Sequence, residues 1–275
     1  MSGSAIGVVP PVRRRPGAAS LDALRHHLPA IVLFLVVIAV WEYIASSSSR
    51  RVIPPPSSIL GAIQRESDLL WRAAQATYME AIGGLIIGSL AGVLVGFATA
   101  RWAIGRDILV PIAVGASTIP LIAIAPIINN WFGTLNPLSK MMMAALLVFF
   151  PVVINVTRGL VEVQPAQLEL MRSYASTPTD VLRKVRVPNM LPFLFTALKV
   201  ATTLAFIGAL VGEYFGGTSA VIGRVVLTSM SSGSLDLAWA GIIIAAVGAI
   251  ASYLVVVIPE RMLIPSNTAV RAGRS

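Results

Sequence analysis

The sequence predicts an all-α membrane protein with six transmembrane helices, and three observations lead there. Hydrophobic residues make up 56% of the 275 and charged residues only 12%, about half the charged fraction of a soluble domain. The mean hydropathy is +0.82. Six apolar stretches reach or approach the roughly 20 residues a helix needs to cross the hydrocarbon. Backbone groups find no water in lipid, so such segments close their hydrogen bonds within a helix; the short alternating strands of a barrel do not occur in the pattern. Cysteine is absent and the two histidines, His26 and His27, are adjacent. That composition excludes disulfide scaffolds, thiolate metal sites and histidine-built catalytic clusters.

The six stretches are 29–45, 78–100, 108–129, 138–157, 193–212 and 238–258. They form one membrane domain, 29–262, between a basic tail, 1–28, and a second tail, 263–275. With the N-terminus inside, fourteen of the 21 basic residues fall in inner segments and five in outer loops, the asymmetry that sets topology. Both tails are then cytoplasmic. A basic start, an apolar run and Ala45-Ser46-Ser47 also suit a cleaved signal sequence. The run is long for that, and Trp41 and Tyr43 suit an interfacial anchor, so the first helix is expected to be retained. The basic residues are spread over four inner segments without interleaved aromatics, which excludes nucleic acid as a partner. Arg13-Arg14-Arg15 is read as a topology anchor with some attraction for anionic lipid.

In the second span Gly84, Gly88, Gly92 and Gly96 recur at every fourth position. They share one helix face and offer a groove that a neighbouring helix can approach closely. The third span carries Pro111, Pro120 and Pro126, and the fourth carries Pro151. Each proline removes a donor and crowds the preceding turn, so kinks or unwinding are expected. Carbonyls freed in this way survive only against protein or a water-filled cavity. Pro120, Pro126 and the exit Asn129-Asn130-Trp131 are therefore candidate linings of a solute path; in the alternative, the two asparagines cap the helix at the outer interface. Glu42, Glu80, Lys140, Lys199 and Glu213 fall near span ends, where long side chains reach the interface. No ionisable pair is spaced through mid-membrane as a relay requires, and no inverted hydropathy repeat is visible, so a secondary carrier is disfavoured. The carboxylates have no second catalytic group, and the chain is read as no enzyme.

The longest inner segment, 158–192, is polar but patterned. Pro165 opens a short helix in which Leu168, Met171 and Ala175 form one apolar stripe. Thr177 then suits an N-cap, Pro178 the first helical position and Asp180 the third. The second short helix, to about 187, carries Val181, Leu182 and Val185 against Arg183, Lys184 and Arg186, and Pro188 and Pro192 are expected to end it. Two amphipathic helices meeting at a capped elbow suit presentation to a partner, with apolar stripes filling a groove and basic residues meeting acidic rims. A helix pair lying on lipid headgroups is the alternative.

The order of residues in this segment resembles a known signature. Glu169-Leu170-Met171, Ala175 and Val185-Arg186-Val187-Pro188 match the spacing of the cytoplasmic loop of ATP-binding-cassette importer permeases: Glu-Ala-Ala, three residues, Gly, nine residues, Ile-any-Leu-Pro. Glu169 and Pro188 are identical to that pattern; Ala175 replaces the glycine and Leu170-Met171 replace two alanines. The glycine ladder also stands where one subfamily has similar residues, as do Pro54-Pro55-Pro56-Ser57, Ile119-Pro120-Leu121, Trp131-Phe132-Gly133, Phe150-Pro151, Glu213 and Ile222-Gly223. That subfamily includes permeases for nitrate, taurine, aliphatic sulfonates, thiamine pyrimidine precursors and riboflavin, and the resemblance covers about 41–265.

The resemblance implies a type I importer-like fold with a cytoplasmic coupling-helix loop, in a bacterial inner membrane. It implies a pore subunit paired with a second copy and served by an external solute-binding protein. Two cytoplasmic ATPase subunits would dock on Glu169, Leu170, Met171, Ala175, Val181, Leu182, Val185 and Pro188. The chain has no Gly-x-x-x-x-Gly-Lys-Ser/Thr loop, so ATP is expected on the partner and no cofactor on this chain. The stretch Asn129-Asn130-Trp131, followed by Leu138-Ser139-Lys140, is similar to permeases for vitamins or heterocycles. Riboflavin or a pyrimidine precursor is the first expectation for cargo; sulfonate, taurine or nitrate is the second.

Overall fold

The computed structural model describes residues 18–47, 53–101 and 103–263. The Arg13-Arg14-Arg15 run and nearly all of the C-terminal tail lie outside the described residues. Every described element is helical, and the described residues fall into two compact units divided after Ser58. In the first unit, α1 (Ala18–Ser47) is followed by the start of α2 (Pro56–Arg65). Glu42 accepts hydrogen bonds from the Ser57 amide at 3.0 Å and the Ser57 hydroxyl at 2.6 Å. A carboxylate thereby satisfies a free amide in the first turn of α2.

The second unit contains α3 (Ser67–Arg101), α4 (Ala103–Ala116), α5 (Leu121–Phe132) and α6 (Pro137–Val161). These are followed by α7 (Pro165–Ser173), α8 (Pro178–Val181), a π-helical turn (Leu182–Arg186), α9 (Val187–Phe215), α10 (Ile222–Ser231) and α11 (Leu235–Leu263). Among the described residues five helical segments are long and apolar enough to cross a membrane, and α4 with α5, bent by 91°, makes a sixth if the pair is one crossing.

Packing directions show that it is. A Cβ placed on Gly84 would lie 2.6 Å from the Met141 carbonyl, on Gly88 2.5 Å from the Ala145 carbonyl, on Gly92 2.8 Å from Val152 Cβ and on Gly96 2.6 Å from Val156 Cγ1. The contacts advance together, so α3 and α6 run parallel. Two parallel crossings in succession need a return crossing between them, and only α4–α5 can supply it. The break lies beside the middle of α6, where Ile119, Leu121 and Ile124 line a cleft of about 60 Å³ with Leu146 and Phe150. Helix α9 runs antiparallel to α6, because Gly159 meets Met190 while Gly208 meets Ala144. The core is their seam: Ala144, Val148, Val152, Val156 and Leu160 of α6 against Met190, Ala197, Ala201 and Ala205 of α9. Lipid tails are as apolar as these side chains, so close approach and dispersion hold the seam together, which is why its residues are small.

One expectation is met and one needs correction. The third span, 108–129, where kinks or unwinding are expected at the prolines, is broken rather than merely bent. It breaks at Ser117–Pro120, because Pro120 has no amide proton and holds its neighbour away from helical geometry. The freed carbonyls take local donors: the Ser117 hydroxyl bonds Val114 O at 2.6 Å and the Thr118 hydroxyl bonds Gly115 O at 2.7 Å. Conversely, Pro188 and Pro192 do not end the second short helix; it runs on into α9. The π-helical turn is the reason, since the Val187 amide bonds Leu182 O, five residues back, so the ladder is already widened where Pro188 brings no donor. The span boundaries also move outward, with α3 starting at Ser67 rather than at 78.

Candidate functional site

The elbow forms from local chemistry. Helix α7 starts at Pro165, and its end is closed by the Ser176 amide bonding Met171 O at 3.1 Å and the Ala175 amide bonding Arg172 O at 2.9 Å. The closure puts Ala175 at φ +50, a left-handed conformation that only glycine adopts without steric cost. This is the position where the importer signature carries glycine. Thr177 then caps α8: its hydroxyl accepts the Asp180 amide at 3.2 Å and the Asp180 carboxylate accepts the Thr177 amide at 3.3 Å. Lys184 pairs with Asp180 at 2.9 Å, one turn on in the favourable order. Ala175→Gly should therefore stabilise the elbow, by no more than about 1 kcal/mol because relief of the left-handed strain is offset by glycine's entropy. Slower amide exchange over 171–177 is the expected readout; faster exchange would contradict the strain.

Of the eight residues expected to couple to an ATPase, four meet. Leu170, Met171, Val185 and Pro188, with Gln167, Lys184 and Asn189, line one open groove of about 230 Å³ between α7 and the π-helical turn. Leu170 is 55% exposed, and Tyr174, just past the end of α7, is 73% exposed. Glu169 and Ala175 are exposed outside the groove, Val181 is half-buried, and Leu182 lies at the surface. The Asn189 side-chain amide bonds Gly159 O at 2.8 Å and Glu162 O at 3.0 Å, tying the start of α9 to the last carbonyls of α6.

The candidate path residues separate. Pro120 and Pro126 are exposed, as are Asn130 and Trp131, which face away from the rest of the chain. Asn129 is buried, and its amide points at Gly212 O of α9 at 3.5 Å; it does not cap α5, whose C-cap is Gly133. Each glycine of the ladder sits against α6, as described above.

The ionisable residues differ most from expectation. Glu80, Lys140 and Glu213 do not extend to the surface of the chain; they are 3%, 0% and 0% exposed and neighbour one another. Lys140 donates to Thr134 O and, at 3.4 Å, to Asn136 O. The Gly223 amide bonds Glu213 Oε2 at 2.5 Å, and the Ile222 amide bonds the Thr77 hydroxyl at 2.9 Å, so the first turn of α10 closes over the site. A signal existed in the sequence. Glu80 stands one step before the ladder 84–88–92–96, Lys140 one step before 144–148–152–156, and Glu213 one step after 197–201–205–209. Three buried small-residue faces that pack together carry their fourth-neighbour charges to the same place. Lys199, by contrast, is a partly exposed partner of Glu260 at 2.9 Å.

Long apolar helices packed around a central α6, with a capped elbow extending from α9, make up a polytopic membrane subunit. The chain belongs to the family of binding-protein-dependent transport system inner membrane components, whose family model matches residues 84–266. It is 29% identical over 219 residues to a probable ABC transporter permease protein of Haemophilus influenzae, covering 79% of this chain and 89% of that one. It is 31% identical over 172 residues to the riboflavin transport system permease protein RibX of Chloroflexus aurantiacus, covering 62% of each. Permeases named for formylaminopyrimidine, aliphatic sulfonates, taurine and nitrate align at 25–29% identity. Among solved structures, the inward-facing MetNI methionine ABC transporter matches 70% of this chain and 94% of its own at a TM-score of 0.55 and 18% identity. That likeness concerns the fold. The all-helical importer-permease architecture expected from the sequence is the one found.

Proposed function

We propose that two copies of this chain form the solute path of an ATP-binding-cassette importer for a vitamin-sized heterocycle, riboflavin or a pyrimidine precursor. An external binding protein delivers the cargo, and two cytoplasmic ATPase subunits grip the elbows. The observation that carries this reading is the groove lined by Leu170, Met171, Val185 and Pro188. It is open, its apolar side chains stand beside Gln167, Lys184 and Asn189, and Arg183 and Arg186 adjoin Lys184 in the chain, so it suits an apolar knob with acidic neighbours. The helical run Pro178–Phe215 is 38 residues, roughly 57 Å at 1.5 Å per residue. A push on the elbow therefore moves α9, and the Asn189 amide takes the end of α6 with it. Nucleotide then biases inward- and outward-facing states through differential contacts at the elbow. Both termini and the elbow lie on the cytoplasmic side, in agreement with the basic-residue asymmetry.

A sulfonate, taurine or nitrate importer is the second reading, favoured by a sulfonate permease relative that aligns over more of this chain than RibX does. Purification of the permease with its ATPase and the neighbouring binding protein, followed by mass spectrometry of the bound ligand, separates the two. A flavin or pyrimidine that stimulates ATP hydrolysis is expected. A bound sulfonate moves the assignment to the second reading, and failure of any ATPase to travel with the chain contradicts the importer.

A further inference from the structure

We propose that Glu80 and Glu213 hold one proton between them, in a closed site completed by Lys140. The supply of donors and the balance of charge point to it separately. Glu213 receives the Gly223 amide on Oε2 and lies against the Thr77 hydroxyl, yet its Oε1 is buried without a partner. Glu80 Oε2 is likewise buried without a partner, and the two carboxyl groups are within hydrogen-bond reach of each other. Buried polar oxygens without donors are rare in folded proteins because each forfeits its hydration. Two carboxylates beside one ammonium would also leave an uncompensated negative charge in a dry site. A single proton removes both deficits. It turns one carboxylate into a carboxylic acid whose O–H donates to the other, and the remaining charge is matched by Lys140.

Among the described residues no donor reaches either orphan oxygen. Lys140 directs two of its three N–H donors to Thr134 O and Asn136 O. Tyr214 stands beside Glu213 as the next titratable group, and Tyr78 donates away from the site to Ile244 O. Gly223 packs directly on Glu213: a Cβ there would lie 2.7 Å from Glu213 Cβ and 2.8 Å from Oε2. The proton thus joins α3 to α9 beneath the first turn of α10, with Lys140 bringing α6 into the same cluster.

Infrared spectroscopy of the full-length chain in lipid nanodiscs tests the site directly. At pH 8 ordinary Asp and Glu side chains are ionised, as their usual pKa values lie near 4. The wild type is expected to retain a carboxylic-acid C=O band equivalent to about one group per chain, shifted in D₂O. Glu80→Gln should lose that band, because the amide N–H takes the place of the proton. Absence of the band in the wild type would overturn the proposal, whether or not any variant folds. So would an undiminished band in both Glu80→Gln and Glu213→Gln, or loss of the band on adding sodium ions.

Discussion

Gly88→Leu is expected to abolish assembly of the folded permease. A Cβ at this position meets the Ala145 carbonyl at 2.5 Å, Ala145 Cα at 2.9 Å and Val148 Cβ at 2.8 Å. Two of those three atoms are backbone in the middle of α6 and cannot rotate aside. Leucine therefore forces α3 and α6 apart, and the contacts at Gly84, Gly92 and Gly96 loosen with it. Overpacking a fitted core costs about 1–3 kcal/mol even where side chains can move, and here the backbone obstructs, so the cost exceeds that range. Gly115→Leu is the control, because a Cβ there meets nothing within 4 Å. Size-exclusion profiles of the detergent-extracted proteins should show the Gly88 variant aggregated or separated from its ATPase and the Gly115 variant unchanged. Normal yield and subunit stoichiometry for Gly88→Leu would contradict the packing.

Lys140→Met is expected to be the most damaging single charge removal. It leaves Glu80 and Glu213 buried with no cation, and breaking a buried ion group in this way costs about 3–5 kcal/mol. It also removes the donor that holds the Thr134 and Asn136 carbonyls in the turn ahead of α6, where Asn136 caps the helix through the Leu138 amide at 3.0 Å. A fall in thermal midpoint on the order of 10 °C follows if each kcal/mol shifts it by about 2–4 °C. Adding Glu80→Gln to Lys140→Met still leaves one buried carboxylate without a cation, and the effects of the two changes are expected to be coupled through the shared site. A double-mutant cycle reads that coupling; strict additivity of the two changes would contradict a shared site.

Legibility in the sequence followed the range of the interaction. The capping box at Thr177 and Asp180 and the face carrying Gly84 to Gly96 are set by residues three or four apart, so their spacing displays them. The break at Pro120 was half legible, since proline announces a disturbed helix but not whether Ser117 and Thr118 can satisfy an open turn. The passage of the helix through Pro188 was hidden, because it depends on a π-helical turn that residue types do not encode. The site of Glu80, Lys140 and Glu213 joins segments more than 50 residues apart. Each of its members looked like a span-end charge until the three small-residue ladders were brought together. The left-handed Ala175 was concealed for another reason: alanine marks no turn, and only the signature's glycine points to it.

ATP-driven uptake into proteoliposomes tests the elbow most directly. Val185→Asp places a carboxylate in the groove beside Leu170, Met171 and Pro188, and Glu169→Lys reverses an exposed charge on α7. Each 1.4 kcal/mol lost from docking is tenfold in affinity, so accumulation of cargo should fall at least tenfold in both variants. Membrane insertion and folding should stay at wild-type levels, and the ATPase should hydrolyse nucleotide without transport. Wild-type accumulation by both variants would contradict an elbow that couples the permease to its ATPase.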